Sequence, residues 1–221
     1  MLNRRGFLPS LPNQGVSPTV VFSPFMPLMR LLFLAVFAAF LLGCSESPVW
    51  GPGVVVARAP VQGPSSRPDW SKEGFVFEAL AEFEIEARVL SVKTYGGLEG
   101  EWSPLDLALG WGQMSDETVL EAMTIRQGGR WYTYEWKGRP PIPPGDIIRS
   151  SANMHMVPAS AAVRKELEAI ERGDVVRLRG ALVAVRGANG YRWRSSTSRT
   201  DTGAGACEIV WVEKVERTSP P

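Results

Sequence analysis

The segment AEFEIEARVLSVKTY, residues 81–95, constrains this chain more than any other stretch. Phe83, Ile85, Ala87 and Val89 alternate with Glu82, Glu84, Glu86 and Arg88. A period of two sends successive side chains to opposite faces, so the pattern predicts a strand with one buried and one wet side. After Val89 the apolar phase moves by one residue, to Leu90 and Val92. A one-residue shift inside a long strand is the signature of a bulge, and bulges bend strands into barrels. The expected fold is mainly β with one or two short helices: a small barrel or a β-sandwich.

The remaining elements fit this class. TIRQGGRWYTYEW, residues 124–136, predicts a hairpin turning at Gly128-Gly129, with Tyr132, Tyr134 and Trp136 on one face of the return strand. Residues 175–186 and 191–195 predict a second hairpin around Asn189-Gly190, and CEIVWVEKV, residues 207–215, predicts the last strand. The helix in SDETVLEAM would be capped by Ser115. That in SAAVRKELEAIERG would be capped by Ser160, bury Val163, Leu167 and Ile170, and stop at Gly173. This order resembles the oligonucleotide/oligosaccharide-binding (OB) barrel, whose helix falls between its third and fourth strands. The resemblance is architectural, covers about residues 75–216, and implies an OB-like barrel without implying an activity. The segments LALGWGQMSD, SANMH and RWRSSTSRTDTGAGAC are also similar to a family of uncharacterised proteobacterial proteins. That likeness brings no activity either.

The N-terminal region carries a different message. Residues 31–42 are unbroken apolar sequence between Arg30 and Gly43-Cys44. About 20 apolar residues are needed to span a bilayer, so the run has the length of a signal-peptide core. Leu41-Leu42-Gly43-Cys44 resembles the lipobox of bacterial lipoprotein precursors. The resemblance implies cleavage before Cys44, lipid attachment to its thiol, and a periplasm-facing protein in the bacterial cell envelope. Ser45, by the same likeness, favours the outer membrane. Translation is expected to start at Met29, with residues 1–28 an upstream extension and residues 29–43 the signal peptide. RRGFL, residues 4–8, resembles a twin-arginine signal, but several prolines separate it from the apolar core. Residues 44–70 are rich in Pro, Gly and Ser and predict a flexible tether, followed by one β-rich domain over residues 71–217.

Charge narrows the partners. Processing removes Arg4, Arg5 and Arg30 from the 24 Lys and Arg residues and takes no acid, leaving 21 bases against 23 acids. A near-neutral domain lacks the basic surface a general nucleic-acid binder needs to release counterions. With Cys44 lipidated, Cys207 is the other of the two cysteines and has no intramolecular partner. The domain must be held by its core.

Three groups of residues could carry chemistry. The first is aromatic and basic: Arg177, Arg179, Arg186, Arg192, Arg194 and Arg199, with Tyr191 and Trp193 interleaved and Tyr132, Tyr134 and Trp136 as further flat surfaces. Guanidinium forks hold carboxylates or phosphates and rings stack on sugars, so the implied partner is an envelope glycan, an anionic lipid or a protein. Across the second hairpin, Arg177, Arg179, Arg192 and Arg194 would share a face, unless Glu82, Glu84 and Glu86 offset them. The second group is Cys207 as nucleophile, His155 as base and Asp201 as orienter, the outline of a cysteine-dependent hydrolase or transferase. The third is Met154, His155 and Met156, soft donors that suit Cu(I) and are similar to those of small barrel-shaped periplasmic copper carriers. His155 is the chain's single histidine, which excludes two-histidine mechanisms. GAGAC lacks the strand-to-helix setting of a dinucleotide fingerprint, and no cofactor is implied. The favoured reading is a membrane-tethered binding or interaction module rather than an enzyme. Replacing Cys44 by Ser should release the protein from the membrane fraction and block its processing; an unchanged membrane-bound, processed product would contradict the lipid anchor.

Overall fold

A computed structural model describes residues 50–221 except Arg199, Thr202, Ala204 and Gly205. Cys44, the signal segment and the upstream extension lie outside the described residues. The strands are β1 (Val61–Gly63), β2 (Trp70–Lys72), β3 (Phe75–Thr94), β4 (Leu105–Gly110), β5 (Met123–Gly128), β6 (Trp131–Trp136), β7 (Ser151–Pro158), β8 (Val175–Arg186), β9 (Arg192–Arg194) and β10 (Glu208–Thr218). The helices are α1 (Gly97–Trp102), α2 (Glu117–Glu121), α3 (Pro144–Ser150) and α4 (Ala161–Glu168). No helix among the described residues is long and apolar enough to cross a membrane.

Five strands close on themselves. Hydrogen-bonded pairing runs from β3 to β4, β7, β10, β8 and back to β3, and within this ring only β7 and β10 are parallel. This is a small β-barrel, with α4 between the third and fourth strands of the ring. The long strand makes closure possible: β3 pairs with β8 from Val76 to Arg88 and with β4 from Arg88 to Thr94. Its register slips between Val89 and Ser91, where the apolar phase shifts in the sequence, and also between Ala79 and Ala81. Alternation sends Phe83, Ile85, Ala87 and Val89 into the interior, against residues such as Leu107 and Leu178. Leu90 instead packs outside the barrel with Ala108 and Ile147. Fully burying side chains of this size contributes about 1.5–3 kcal/mol each. The Ser160 hydroxyl accepts the Val163 N–H at 3.2 Å, and α4 lays Val163 and Leu167 on the interior cluster.

The structure corrects four local expectations. Residues 50–70 are no loose tether, because their polar groups are met by distant parts of the barrel. Trp50 donates from Nε1 to the Gly173 carbonyl at 2.7 Å, Val56 is buried, and β1 pairs antiparallel with residues 82–84 of β3. Arg67 bridges Glu82 and Glu213. The hairpin β5–β6 turns at Gly129-Arg130 rather than Gly128-Gly129, since Gly128 already pairs with Trp131. Helix α2 is capped by Asp116, whose carboxylate accepts the Thr118 N–H at 2.9 Å; Ser115 instead donates to the Gly112 carbonyl. Helices α1 and α3 also join the two that were expected.

Gly180 marks the tightest crossing. It pairs with Val212, beside a register shift between Val212 and Lys214, and a Cβ there would sit 1.8 Å from the Trp211 carbonyl oxygen. Gly63 has nothing within 4 Å of such a Cβ. Gly180→Ala is therefore expected to cost at least the upper end of the ~1–3 kcal/mol typical of overpacking, with Gly63→Ala near neutral, as read by urea unfolding. Equal midpoints for the two variants would contradict this register.

Candidate functional site

Alternation in β4 and β7 points Asp106, Asn153 and His155 out of the barrel, yet all three are buried. They are covered by the β5–β6 hairpin, by α1 and its flanks, and by β9. Tyr132, Tyr134 and Trp136 share the hairpin's inner face, with neighbouring ring centroids 5.7 and 6.2 Å apart, and pack on the outer cluster of Leu90, Ala108 and Ile147. Trp193 of β9 lies 4.4 Å from the His155 ring and edge-on to Trp102.

Arg130 ties this layer to the barrel. The turn residues Gly129 and Arg130 have φ of 57° and 67°, the left-handed pair that a two-residue hairpin turn requires. That conformation costs a non-glycine residue roughly 1–2 kcal/mol, and the Arg130 contacts offset it. Its Nη1 lies 2.7 Å from Asp106 Oδ1 and its Nη2 donates to the Ser103 carbonyl at 2.9 Å. The guanidinium carbon stacks 3.9 Å from the Tyr95 ring centroid, and the Arg130 backbone N–H donates to the Tyr95 hydroxyl at 3.1 Å. The Arg130 carbonyl in turn accepts from Asn153 Nδ2 at 3.2 Å and from the Cys207 thiol at 3.9 Å. His155 Nδ1 also stands 2.8 Å from Asp106 Oδ1. That approach is poorly aligned, so neither ring nitrogen has a well-formed hydrogen bond.

Beside this network lies a cavity of about 190 Å³. Trp111, Trp131, Tyr132 and Tyr134 form its aromatic walls. Its polar side holds Asn153, Asp201, Cys207 and Glu208. The Tyr132 hydroxyl is hydrogen-bonded to Ser151 Oγ at 2.9 Å, and burial pushes that phenol up to about 12, with the Glu208 charge adding to the shift. Burial also pushes the Cys207 thiol up to about 11, reinforced by the charges of Glu208 and Asp106. Burial is the larger cause of both shifts, and the Glu208 charge adds to each.

Several predicted partners do not meet. Cys207 bonds to Arg130 and Asn153, no hydrogen bond joins it to His155 among the described residues, and Ile209 is the β10 residue paired with His155. The carboxylate at His155 is Asp106; Asp201 accepts the Ser196 hydroxyl at 2.6 Å. Met154 and Met156 are buried inside the barrel while His155 points outward, so the strand separates the three soft donors. The four arginines do not crowd one patch either. Strand β9 pairs only with residues 184–186 of β8, whereas Arg177 and Arg179 stand opposite Glu86 and Glu84 of β3, at 3.0 and 3.3 Å. Arg186 bridges Asp69 and Glu78, Arg194 also reaches Glu78, and Arg192 is exposed opposite Arg186. Tyr191 packs edge-on against Phe75 and Trp102. Tyr132, Tyr134, Cys207 and Asp201 are the predicted residues that the structure does gather, around the cavity. Arg199 lies outside the described residues.

Sequence reasoning missed Asp106, Arg130, Trp111 and Glu208. Asp106 did leave a signal: it is the single charged residue in the apolar strand LDLALG, and a buried carboxylate demands a cation. Comparison with protein-family models, with curated proteins and with solved structures found no match. The functional reading rests on the geometry.

Proposed function

We propose that this chain is a cell-envelope lipoprotein, tethered through Cys44, whose barrel serves as a binding module for a small ligand. The observation that carries the reading is the 190 Å³ cavity walled by Trp111, Trp131, Tyr132 and Tyr134, with a few polar groups on one side. Apolar and aromatic walls with a small set of placed polar groups are the usual make-up of ligand sites. The space exceeds the roughly 150 Å³ that admits a benzene molecule. A lipid anchor would hold such a module at the membrane, and a near-neutral surface would leave recognition to the pocket.

The cysteine-enzyme alternative has less support. A nucleophilic thiol needs a nearby imidazole or positive charge to form thiolate at neutral pH, and Cys207 is buried among carboxylates. The arginine face, which would have suited an anionic partner, is matched by glutamates across the β3–β8 ladder. In the Cys44→Ser chain, where Cys207 is the single thiol, native alkylation at pH 8 should be about two orders of magnitude slower than in denaturant. His155→Gln should leave that rate unchanged. Rapid labelling at pH 6 that His155→Gln abolishes would establish the dyad and overturn the binding-module reading.

A further inference from the structure

The segment that leads into the barrel shows an apolar stretch to solvent. Residues 51–57 hold no charged side chain. Val54 is 48% exposed, and Gly51, Pro52 and Gly53 before it are exposed too. The stretch is nevertheless fixed in place. The Gly53 N–H donates to Asp116 Oδ1 at 3.1 Å, the Val56 N–H donates to Ser115 Oγ at 3.0 Å, and the Val56 carbonyl accepts the Gly112 N–H at 2.7 Å. Trp50 is half-buried; with its indole N–H given to the Gly173 carbonyl, the surface it still shows is apolar. Apolar groups held in water in this way gain by being covered.

The length of the preceding chain says what covers them. Six residue steps separate Cys44 from Trp50, and they span at most about 20 Å in any conformation. A lipid on Cys44 therefore keeps Trp50 within that distance of the bilayer, with Val54 four residues further on. The tether alone would also let the barrel lie on its side, because β8 starts two residues after Gly173 and runs 12 residues, roughly 35 Å, to Arg186. The exposed apolar stretch decides between these orientations. We propose that residues 50–54 are the membrane-contact surface of the barrel. Trp50, Pro52 and Val54 meet the headgroup region of the bilayer that holds the Cys44 lipid, with the Gly173 end of β8 toward the membrane and the β9 end away from it. Tryptophan favours that interfacial depth. Arg58, four residues past Val54, and Arg172, next to Gly173, are exposed and suit anionic headgroups, two bases beside the exposed acid Glu171. This contact rests on the lipid anchor of the proposed function and adds which surface the anchor brings to the bilayer.

Fluorescent labels on single cysteines test the contact in the full-length chain, processed in bacteria and reconstituted in vesicles of phosphatidylethanolamine and phosphatidylglycerol that carry a headgroup nitroxide quencher. In a Cys207→Ala background, Pro52→Cys or Arg192→Cys supplies the one reactive thiol once Cys44 is lipidated. Both positions are exposed, and Arg192 pairs with Arg186 at the far end of β8. The label at position 52 is expected to be quenched about threefold or more over that at position 192, as fits apolar groups seated at the headgroup boundary. Val54→Asp combined with Arg58→Glu, both at exposed positions, should cut quenching at position 52 about twofold or more while the chain still floats with the vesicles. Equal quenching at the two positions, or quenching at position 52 that the double substitution leaves unchanged, would overturn the contact surface and leave the anchor standing. A chain that does not float with the vesicles would overturn both.

Discussion

The Asp106 carboxylate, fully buried on the outer wall of the barrel, is the constraint around which the second layer of this protein is arranged. An isolated ionised carboxylate in such a place costs far more than a domain's net stability, so a cation must be brought to it. Arg130 supplies the cation from the tip of the β5–β6 hairpin, whose strands are also held by Tyr132 on Ser151 and Gln127 on Asn153. To reach Asp106 the turn adopts a left-handed conformation at an arginine, where glycine or asparagine would be easier. The ion pair and the strained turn thus belong to one device. Once the tip is fixed, Tyr132, Tyr134 and Trp136 are laid on the outer cluster around Ala108 and Ile147.

The cavity follows from the same contact. Trp131, Tyr132 and Tyr134 of its walls come from the hairpin and Trp111 from the residue after β4, while its polar side comes from β7 and the segment entering β10, which the Arg130 carbonyl joins through Asn153 and Cys207. A pocket built between a closed barrel and an outer layer is set by how that layer is held. The arginine ladder on the other side has a different meaning. Arg177–Glu86 and Arg179–Glu84 are cross-strand pairs with both partners substantially exposed, each worth a fraction of a kcal/mol. They report the β3–β8 register and leave little unpaired charge for a ligand.

What the sequence made legible was local. The two-residue alternation of β3 and its slip near Leu90, the Ser160 cap and the shared face of Tyr132, Tyr134 and Trp136 all depend on neighbours a few positions away. The arginine patch misled because the hairpin was paired over its whole length, whereas β9 is three residues long and β8 spends most of its length on β3 and β10. Residues 50–70 read as a tether because a Pro- and Gly-rich segment builds no ladder of its own. Its partners, Gly173, Ser115 and Glu213, are 59 to 146 positions away. Arg130 was hidden because Gly128-Gly129 is the commoner turn pair, and nothing local shows that the arginine has a carboxylate to meet. His155 was noticed as the lone histidine, but its neighbour Asp106 comes from a strand whose only cue was one acid among apolar residues.

If the Arg130–Asp106 contact organises the outer layer, Arg130→Gly is its most direct test. Glycine relieves the left-handed turn, which by itself would stabilise the hairpin by roughly 1 kcal/mol. It also removes the guanidinium, and breaking a buried ion pair from one side costs about 3–5 kcal/mol. The account predicts a net loss of about 2 kcal/mol or more by urea unfolding, with amide-exchange protection falling in residues 123–136 while the β3–β8 ladder keeps its protection. A variant as stable as the parent, with the hairpin amides equally protected, would contradict it.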